Sequence, residues 1–517
     1  MKLGKSLAYQ PVELAFGTSG LRGLVSDMTD LECYINTAGF LKFCEQRDGL
    51  HPGDRIYLAG DLRPSTPRIM RAVATAIQDA GYRPVNCGRI PIPALALYAL
   101  SHGAPGIMVT GSHIPANRNG IKFYKREGEV LKVDEAPIHT AVAEVRERLY
   151  RQDAQASAFD ENGALRLPGN LGKIDQAAKA TYVRRYLDVF APDSLKGKHI
   201  AVYQQSAVVR DILVEVLAAL GATVIPFDRS DEFIPIDTDN ITPEDARRFR
   251  EFSKRYPDAF AIVSADGDSD RPIVIDETGT FHRGDMLGCV TARFLEARFA
   301  AVPIICNDAL DAFCQQESIA LAKTKVGSPL VIDAMLSAPP DRQPAVAWEM
   351  NGGFLTATDL SLGHGRLQAL PTRDAMLPML CALQVAVRQQ VPLSAVFAAL
   401  PRRFASQGLI DEVSEVAIKQ FRALTNDEAV MRRLAEAIAD ENLGAFVEID
   451  LTDGLRLLFD SGDVLHLRPS ANAPQFRVYS NAASQDRADQ LATVAVAPDG
   501  YIVRLLGALD ALGLGAV

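Results

Sequence analysis

At 517 residues the chain is too long for one hydrophobic core; about 150 residues per domain gives roughly three to four domains. Hydrophobic residues make up 48% and charged residues 23%, an ordinary globular balance, and the net charge of −10 argues against nucleic acid as the main partner. Seven scattered cysteines without a C-x-x-C pair, no signal-like leader and no apolar run near the ~18–20 residues of a membrane helix point to a cytoplasmic protein with no membrane partner.

The first notable segment is Phe16-Gly17-Thr18-Ser19-Gly20-Leu21-Arg22-Gly23. Three glycines and two hydroxyls allow close backbone approach to a ligand, and Arg22 offers a fixed cation. No Gly-Lys-Ser/Thr follows, so it is not a Walker loop, and a plain turn is the competing reading. Residues 55–59 read as a short apolar strand. Ile69, Val73, Ile77 and Ala80 then recur at helical spacing, with Gly81 as the stop. Next comes Val109-Thr110-Gly111-Ser112-His113-Ile114-Pro115, running on to Asn119-Gly120-Ile121-Lys122. It reads as an exposed serine in a tight loop with a lysine downstream, and such a hydroxyl can carry a phosphoryl group on and off.

Strand and helix return at residues 200–203 and 212–221, and again at residues 301–305 and 310–320. Three rounds suggest three doubly covered α/β domains, a repetition of architecture and not of residues. Between the second and third lies Ser264-Ala265-Asp266-Gly267-Asp268-Ser269-Asp270-Arg271. Three carboxylates within five residues repel one another unless a cation or solvent neutralises them. An EF-hand needs glycine where Arg271 stands and helices where the flanks read as strands. A catalytic divalent cation, Mg²⁺ by its preference for hard oxygen ligands, ranks ahead of a solvated acidic turn.

Close-spaced strands at residues 446–450, 455–459, 464–467 and 476–479 follow, with Asp453-Gly454 as a hairpin signal and amphipathic helices near residues 429–438 and 502–512. This is an α+β domain. Within it, Arg468-Pro469-Ser470-Ala471-Asn472-Ala473-Pro474 and then Arg477 gather two guanidinium groups, a hydroxyl and an amide around a Pro-rich turn. Planar guanidinium forks suit a phosphate dianion, although paired loop arginines are often merely solvated. The expected division is 1–183, 184–295, 296–403 and 404–517.

In this order the four segments resemble the α-D-phosphohexomutase family, and the resemblance spans nearly the whole chain. It implies three related mixed-sheet α/β domains plus a C-terminal α+β domain around a central cleft. It further implies that Ser112 is a phosphoserine, and that Asp266, Asp268 and Asp270, with Ser112, hold Mg²⁺. Arg22 and Lys122 match residues proposed for acid/base work, Glu349 and Asn351 lie in the sugar-binding loop, and Arg468, Ser470, Asn472 and Arg477 bind the substrate phosphate. Arg271 supports the site; His113 contacts the phosphorylated loop or supports it. The implied reaction passes a phosphoryl group from Ser112 to a hexose phosphate, turns the bisphosphate over and takes the other phosphate back. Hexose 1,6-bisphosphate is the activator, and the enzyme is a monomer or homodimer.

Two loops depart from the pattern. Where much of the family has Gly-Glu-x-Ser-Gly-His, this chain reads Trp348-Glu349-Met350-Asn351-Gly352-Gly353. Asn351 is a substitute hydrogen-bonding group, and His364 or Arg373 is a candidate for the missing histidine. Where the family has Ser-Gly-Thr-Glu-Pro, the chain reads Ser470-Ala471-Asn472-Ala473-Pro474, which makes the cradle more electropositive. The variant segments, including Tyr203-Gln204-Gln205-Ser206 and residues 230–237, look most like bacterial phosphomannomutases. Conversion of mannose 6-phosphate to mannose 1-phosphate therefore leads. Action on glucose phosphates or on both sugars is the alternative, and a non-catalytic sugar-phosphate binder is the outlying one.

Overall fold

The computed structural model describes residues 1–17, 20–167, 169–470 and 474–511. Two compact units emerge: Met1–Phe299 with Met335–Phe397, and Ala300–Ala334 with Ala398–Val517.

The first unit begins with strands β1 (Ala15–Phe16), β2 (Leu21–Leu24), β3 (Arg55–Gly60), β4 (Arg83–Arg89), β5 (Gly106–Val109), β6 (Arg118–Lys125) and β7 (Gly128–Glu129). They form one mixed sheet in the order β1-β2-β6-β5-β3-β4, with β7 beside β6. The pairs β3–β4 and β3–β5 are parallel, whereas β5–β6 and β2–β6 are antiparallel. A strand such as β3, buried at every residue after Arg55, suits a sheet covered on both faces. Helix Asp30–Asp48 shows why its ends lie where they do: Thr29 Oγ1 accepts the Glu32 amide at the start, and Gly49 adopts φ 62° at the stop.

Strands β8 (His199–Gln205), β9 (Thr223–Arg229), β10 (Ala261–Ala265) and β11 (Pro272–Asp276) make a second sheet, ordered β11-β10-β8-β9. β10 runs parallel to β8 and antiparallel to β11, so the acidic loop joins two strands. This excludes the helix–loop–helix frame of an EF-hand. Strands β12 (Phe299–Pro303) and β13 (Ala320–Thr324) follow in the chain, then β14 (Ala345–Trp348), β15 (Phe354–Thr356), the hairpin β16 (Leu360–Leu362) and β17 (Gly365–Leu367), and β18 (Leu370–Asp374). Within the first unit β15 lies antiparallel between β14 and β18. Residues 340–342 form one 3₁₀ turn.

The second unit holds an antiparallel sheet of β19 (Phe404–Ile410), β20 (Phe446–Asp450), β21 (Leu455–Phe459), β22 (Val464–Pro469) and β23 (Phe476–Ala482), ordered β19-β23-β22-β21-β20. The turn containing Asp453-Gly454 joins β20 to β21, as read from the sequence. One stretch, Gln485–Ala511, is long and apolar enough by length and composition to cross a membrane, which the sequence reading had not found. It is two helices, Gln485–Val496 and Tyr501–Ala511. Leu491, Ala495, Ile502 and Leu505 from both belong to the unit's core, which accounts for the apolar run.

Candidate active site

Parallel strands leave open backbone at their carboxyl ends, the usual place for a site in α/β folds. Ser112 lies three residues beyond the end of β5. Its φ of 54° is left-handed, and its amide donates to Thr110 Oγ1 at 2.8 Å. Thr110 Oγ1 in turn donates to Asp61 Oδ2 at 2.8 Å. Arg63, wholly buried, pairs with Asp61 at 3.2 Å. It donates to the carbonyls of Ser112 (2.9 Å), Pro115 (2.7 Å) and Arg118 (2.9 Å), and to that of Ile114. A Cβ on Gly111 would come within 2.7 Å of the Arg63 guanidinium carbon, so that position needs glycine. The guanidinium also lies 3.9 Å from the Phe233 ring centroid.

Contrary to the exposed serine expected from the sequence, Ser112 is only 1% exposed. The acidic loop after β10 covers it. A Cβ on Gly267 would meet the Ser112 carbonyl oxygen at 2.8 Å, and Ser112 Oγ donates to Asp266 Oδ2 at 2.8 Å. Asp266, Asp268 and Asp270 are all buried, with one oxygen from each lying within 4.8 Å of the others. Asp268 Oδ1 and Asp270 Oδ1 have no hydrogen-bond partner. Buried carboxylate oxygens are rarely left so, and three converging oxygen donors fit a hard divalent cation.

Lys122 and Arg271, beside this cluster, are each shared between carboxylates. Lys122 Nζ reaches Asp268 Oδ2 at 2.9 Å and Asp270 Oδ2 at 3.3 Å. Arg271 Nη1 pairs with Asp239 at 3.0 Å and Asp237 at 3.4 Å. Burial, then Asp268 and Asp270, push the Asp266 carboxyl well up from its ordinary value. Burial opposes ionisation at Asp270 as well, but Arg373, Lys122 and Arg271 together hold that carboxyl below the usual range. Arg22 sits on β2 opposite Gly120 of β6, the strand that carries Lys122. Burial and the neighbouring Arg271 lower its guanidinium to about 10. His113 Nδ1 lies 3.3 Å from Ser112 Oγ, and burial with Arg271 and Arg22 nearby keeps its ring neutral by pulling its pKa far down.

The loop between β14 and β15 starts from Trp348, whose Nε1 donates to the Asp285 carbonyl at 3.1 Å. Glu349 Oε1 accepts from Arg373 Nη1 at 3.0 Å, and Arg373 Nε donates to Asp270 Oδ2 at 2.9 Å. Asn351 works within the loop: its Oδ1 accepts the Gly353 amide at 3.0 Å and its Nδ2 donates to Glu349 Oε2 at 3.4 Å. Of the two candidates for the missing histidine, Arg373 is buried in the site while His364 is exposed at the tip of the β16–β17 hairpin.

Residues 13–148 match the phosphoglucomutase/phosphomannomutase α/β/α domain I, and residues 283–404 match domain III of the same family. The chain is 39% identical over 485 residues to a protein named phosphomannomutase from Sinorhizobium fredii (strain NBRC 101917 / NGR234), covering 92% of this chain and 96% of the relative. It is 36% identical over 474 residues to a phosphomannomutase of Salmonella muenchen, covering 92% and 93%. The chain belongs to the phosphoglucomutase/phosphomannomutase family. The fold agrees: a solved phosphoglucomutase/phosphomannomutase family protein from Burkholderia thailandensis superposes with a TM-score of 0.67 at 20% identity, covering 97% of this chain and 98% of that one.

The fourth motif of this family member lies in the second unit. Arg468 and Arg477 are cross-strand partners on β22 and β23. Arg468 Nε is 3.0 Å from Asp453 Oδ2 without the alignment of a hydrogen bond, and the buried Nε of Arg477 has no partner. The Ser470 amide donates to the Gln475 carbonyl at 2.8 Å, and Arg422 Nη2 donates to the Ser470 carbonyl at 2.6 Å. Asn472 lies outside the described residues.

Sequence reasoning missed Asp61, Arg63, Phe233, Asp237, Asp239 and Arg422. The available signal was positional: Asp61-x-Arg63 directly follows an apolar strand, where charge is unusual unless it serves a site. Phe233 and Asp237 belong to the segment 230–237, which the sequence marks only by its likeness to bacterial phosphomannomutases. The next residue, Thr238, donates through Oγ1 to the Asn351 carbonyl at 3.2 Å, and Asp237 lies 4.0 Å from His113 Nε2 and 3.4 Å from Arg271 Nη1, so residues 237–238 touch the serine loop, the acidic loop and the loop between β14 and β15.

Proposed function

We propose that this family member is a phosphomannomutase, interconverting mannose 6-phosphate and mannose 1-phosphate through phosphorylated Ser112 and a hexose 1,6-bisphosphate. The observation that carries the reading is the Ser112 hydroxyl, fixed in a left-handed loop 2.8 Å from Asp266 and beside a buried three-carboxylate cluster into which Lys122 is paired. Mannose is favoured because the relatives at 39% and 36% identity carry that name, whereas those named phosphoglucosamine mutase match at 25–28%.

The chemistry requires in-line positioning and charge neutralisation more than covalent help. The Ser112 Oγ–P bond breaks as a P–O bond forms to the sugar hydroxyl, and the hydroxyl proton ends on the serine oxygen. We assign the proton relay to Lys122. Arg22, at about 10, keeps its proton near neutrality and acts as a fixed cation with Arg271 on the phosphoryl oxygens. Mg²⁺ held by Asp266, Asp268, Asp270 and a phosphoserine oxygen supplies Lewis-acid stabilisation when bound. Glu349 takes hydrogen bonds from sugar hydroxyls, Asn351 steadies Glu349, and Arg468, Ser470, Asn472 and Arg477 take the non-reacting phosphate. Domains at 1–183, 184–295, 296–403 and 404–517, activation by hexose 1,6-bisphosphate and a cytoplasmic location belong to the same proposal; the seven buried cysteines, none of them in a disulfide, accord with the last.

Comparison of kcat/KM on mannose 1-phosphate, glucose 1-phosphate and glucosamine 1-phosphate tests the substrate. A clear preference against mannose overturns it. Mass analysis tests the mechanism: phosphate on Ser112 that leaves on adding substrate supports it, and its absence from an active enzyme overturns it.

A further inference from the structure

Arg373 on β18 is 5% exposed and joins two loops of different purpose. Its Nε donates to Asp270 Oδ2, an oxygen shared with Lys122, while Asp270 Oδ1 has no hydrogen-bond partner. Two cations thus fix one carboxylate oxygen and leave the other without a hydrogen bond, 3.8 Å from Arg271 Nε. The same guanidinium donates through Nη1 to Glu349 Oε1. The route of its stem is also specific. A Cβ on Gly353 would meet Arg373 Cδ at 2.5 Å and Cγ at 2.6 Å, so this chain's glycine makes the space that the arginine fills. Gly353 stands where much of the family carries histidine.

We propose that Arg373 makes cation binding and sugar recognition interdependent, by holding Asp270 and Glu349 on one planar fork. It is a positioning residue; the inference rests on the mutase reading above. When sugar hydroxyls fix Glu349, the guanidinium loses its remaining freedom and the Asp270 carboxylate, which would help to hold the cation, is ordered with it. The second ligand then meets a site already ordered, which is positive coupling without a large structural change. Arginine suits this task because its fork presents donors in one rigid plane, which a lysine at the same place lacks.

The test uses Ser112→Ala protein, which cannot turn over, with Mn²⁺ as the probe and free Mn²⁺ read by electron paramagnetic resonance. Saturating mannose 1-phosphate is expected to tighten Mn²⁺ binding by about 5-fold or more, and Mn²⁺ to tighten the sugar phosphate by the same factor. In the same background Arg373→Met and Arg373→Lys should reduce the factor to about 1 while each ligand still binds alone. Glu349→Gln breaks the bridge from its other end and decides the matter if the Arg373 variants do not fold. Sugar binding with no shift in the parent, or a shift retained in all the folded variants, overturns the coupling and leaves the mutase reading standing. Failure of the parent to bind any hexose phosphate overturns the reading on which the coupling rests, and the coupling with it.

Discussion

The serine and acidic loops of the first unit and the Arg468–Arg477 loop of the second are both built from buried charge, in opposite ways. In the first unit several charges have more than one partner: Arg63 serves four carbonyls, and Asp270 answers to Lys122, Arg271 and Arg373, even though Asp268 Oδ1 and Asp270 Oδ1 carry no hydrogen bond. In the second, two arginines face each other across a ladder with incomplete partners. A reaction centre gains from groups that need no reorganisation at the moment of transfer. A loop that receives an anion gains from cations whose hydrogen bonds are still to be made. The contrast predicts that damage in the first unit falls on kcat and damage in the second falls on KM.

Ser112→Ala should have the largest effect, a loss of at least about 10⁴-fold in kcat measured with added bisphosphate, because the group proposed to carry the phosphoryl is gone. Robust turnover would remove the assigned role. Asp268→Asn takes away one of three cluster charges and half of the Lys122 pairing, so kcat should fall about 10²–10³-fold with the far-ultraviolet circular dichroism unchanged. Activity equal to the parent would remove the cation assignment.

Arg477→Ala should raise KM for mannose 1-phosphate by about 10–150-fold, the equivalent of losing a charge-assisted hydrogen bond of about 1.5–3 kcal/mol, with a smaller change in kcat. The opposite split, a fall in kcat at constant KM, would break the contrast between the two units.

The parts of the fold legible in the sequence were those with a period or a punctuation mark. The apolar run at 55–59, the helical spacing after it and the stop at Gly81, with φ 84°, appear as β3 and helix Thr66–Asp79. Asp453-Gly454 marked its hairpin. Charges clustered in the chain, such as Asp266, Asp268 and Asp270, were visible as a site, and the structure brings Ser112 and Lys122 to them. Arg63 was not legible, because its partners are carbonyls, which every residue has, and its burial is a tertiary fact. The burial of Ser112 escaped for the same reason: the loop that covers it lies about 150 residues further on, and only Gly267 hints at the close approach. Arg373 was half-seen, as a candidate without a place.

The smallest effect sharpens the comparison from the recognition side. His466 lies on β22, two residues before Arg468, and its Nε2–H donates to the Asp453 carbonyl at 2.7 Å while its buried Nδ1 has no partner. Burial, followed by the nearby Arg468 and Arg456, lowers its pKa to about 4, although the Asp453 hydrogen bond pulls the other way. The folded ring is therefore neutral at a pH where the unfolded histidine, with an ordinary value near 6.5, begins to charge. Between about 6.5 and 4 the unfolded chain binds more protons, so stability rises with pH in that window. The contribution is complete above about 6.5 and is lost as pH falls through about 4, with a slope approaching about 1.4 kcal/mol per pH unit for this one group. His466→Gln, which keeps a donor for the Asp453 carbonyl, should flatten the pH dependence of second-unit unfolding followed by hydrogen exchange in peptides from β21 to β23. An unchanged slope would mean that the ring is not held neutral. The cations next to it would then have to be screened, and the electropositive character assigned to this loop would fail with it.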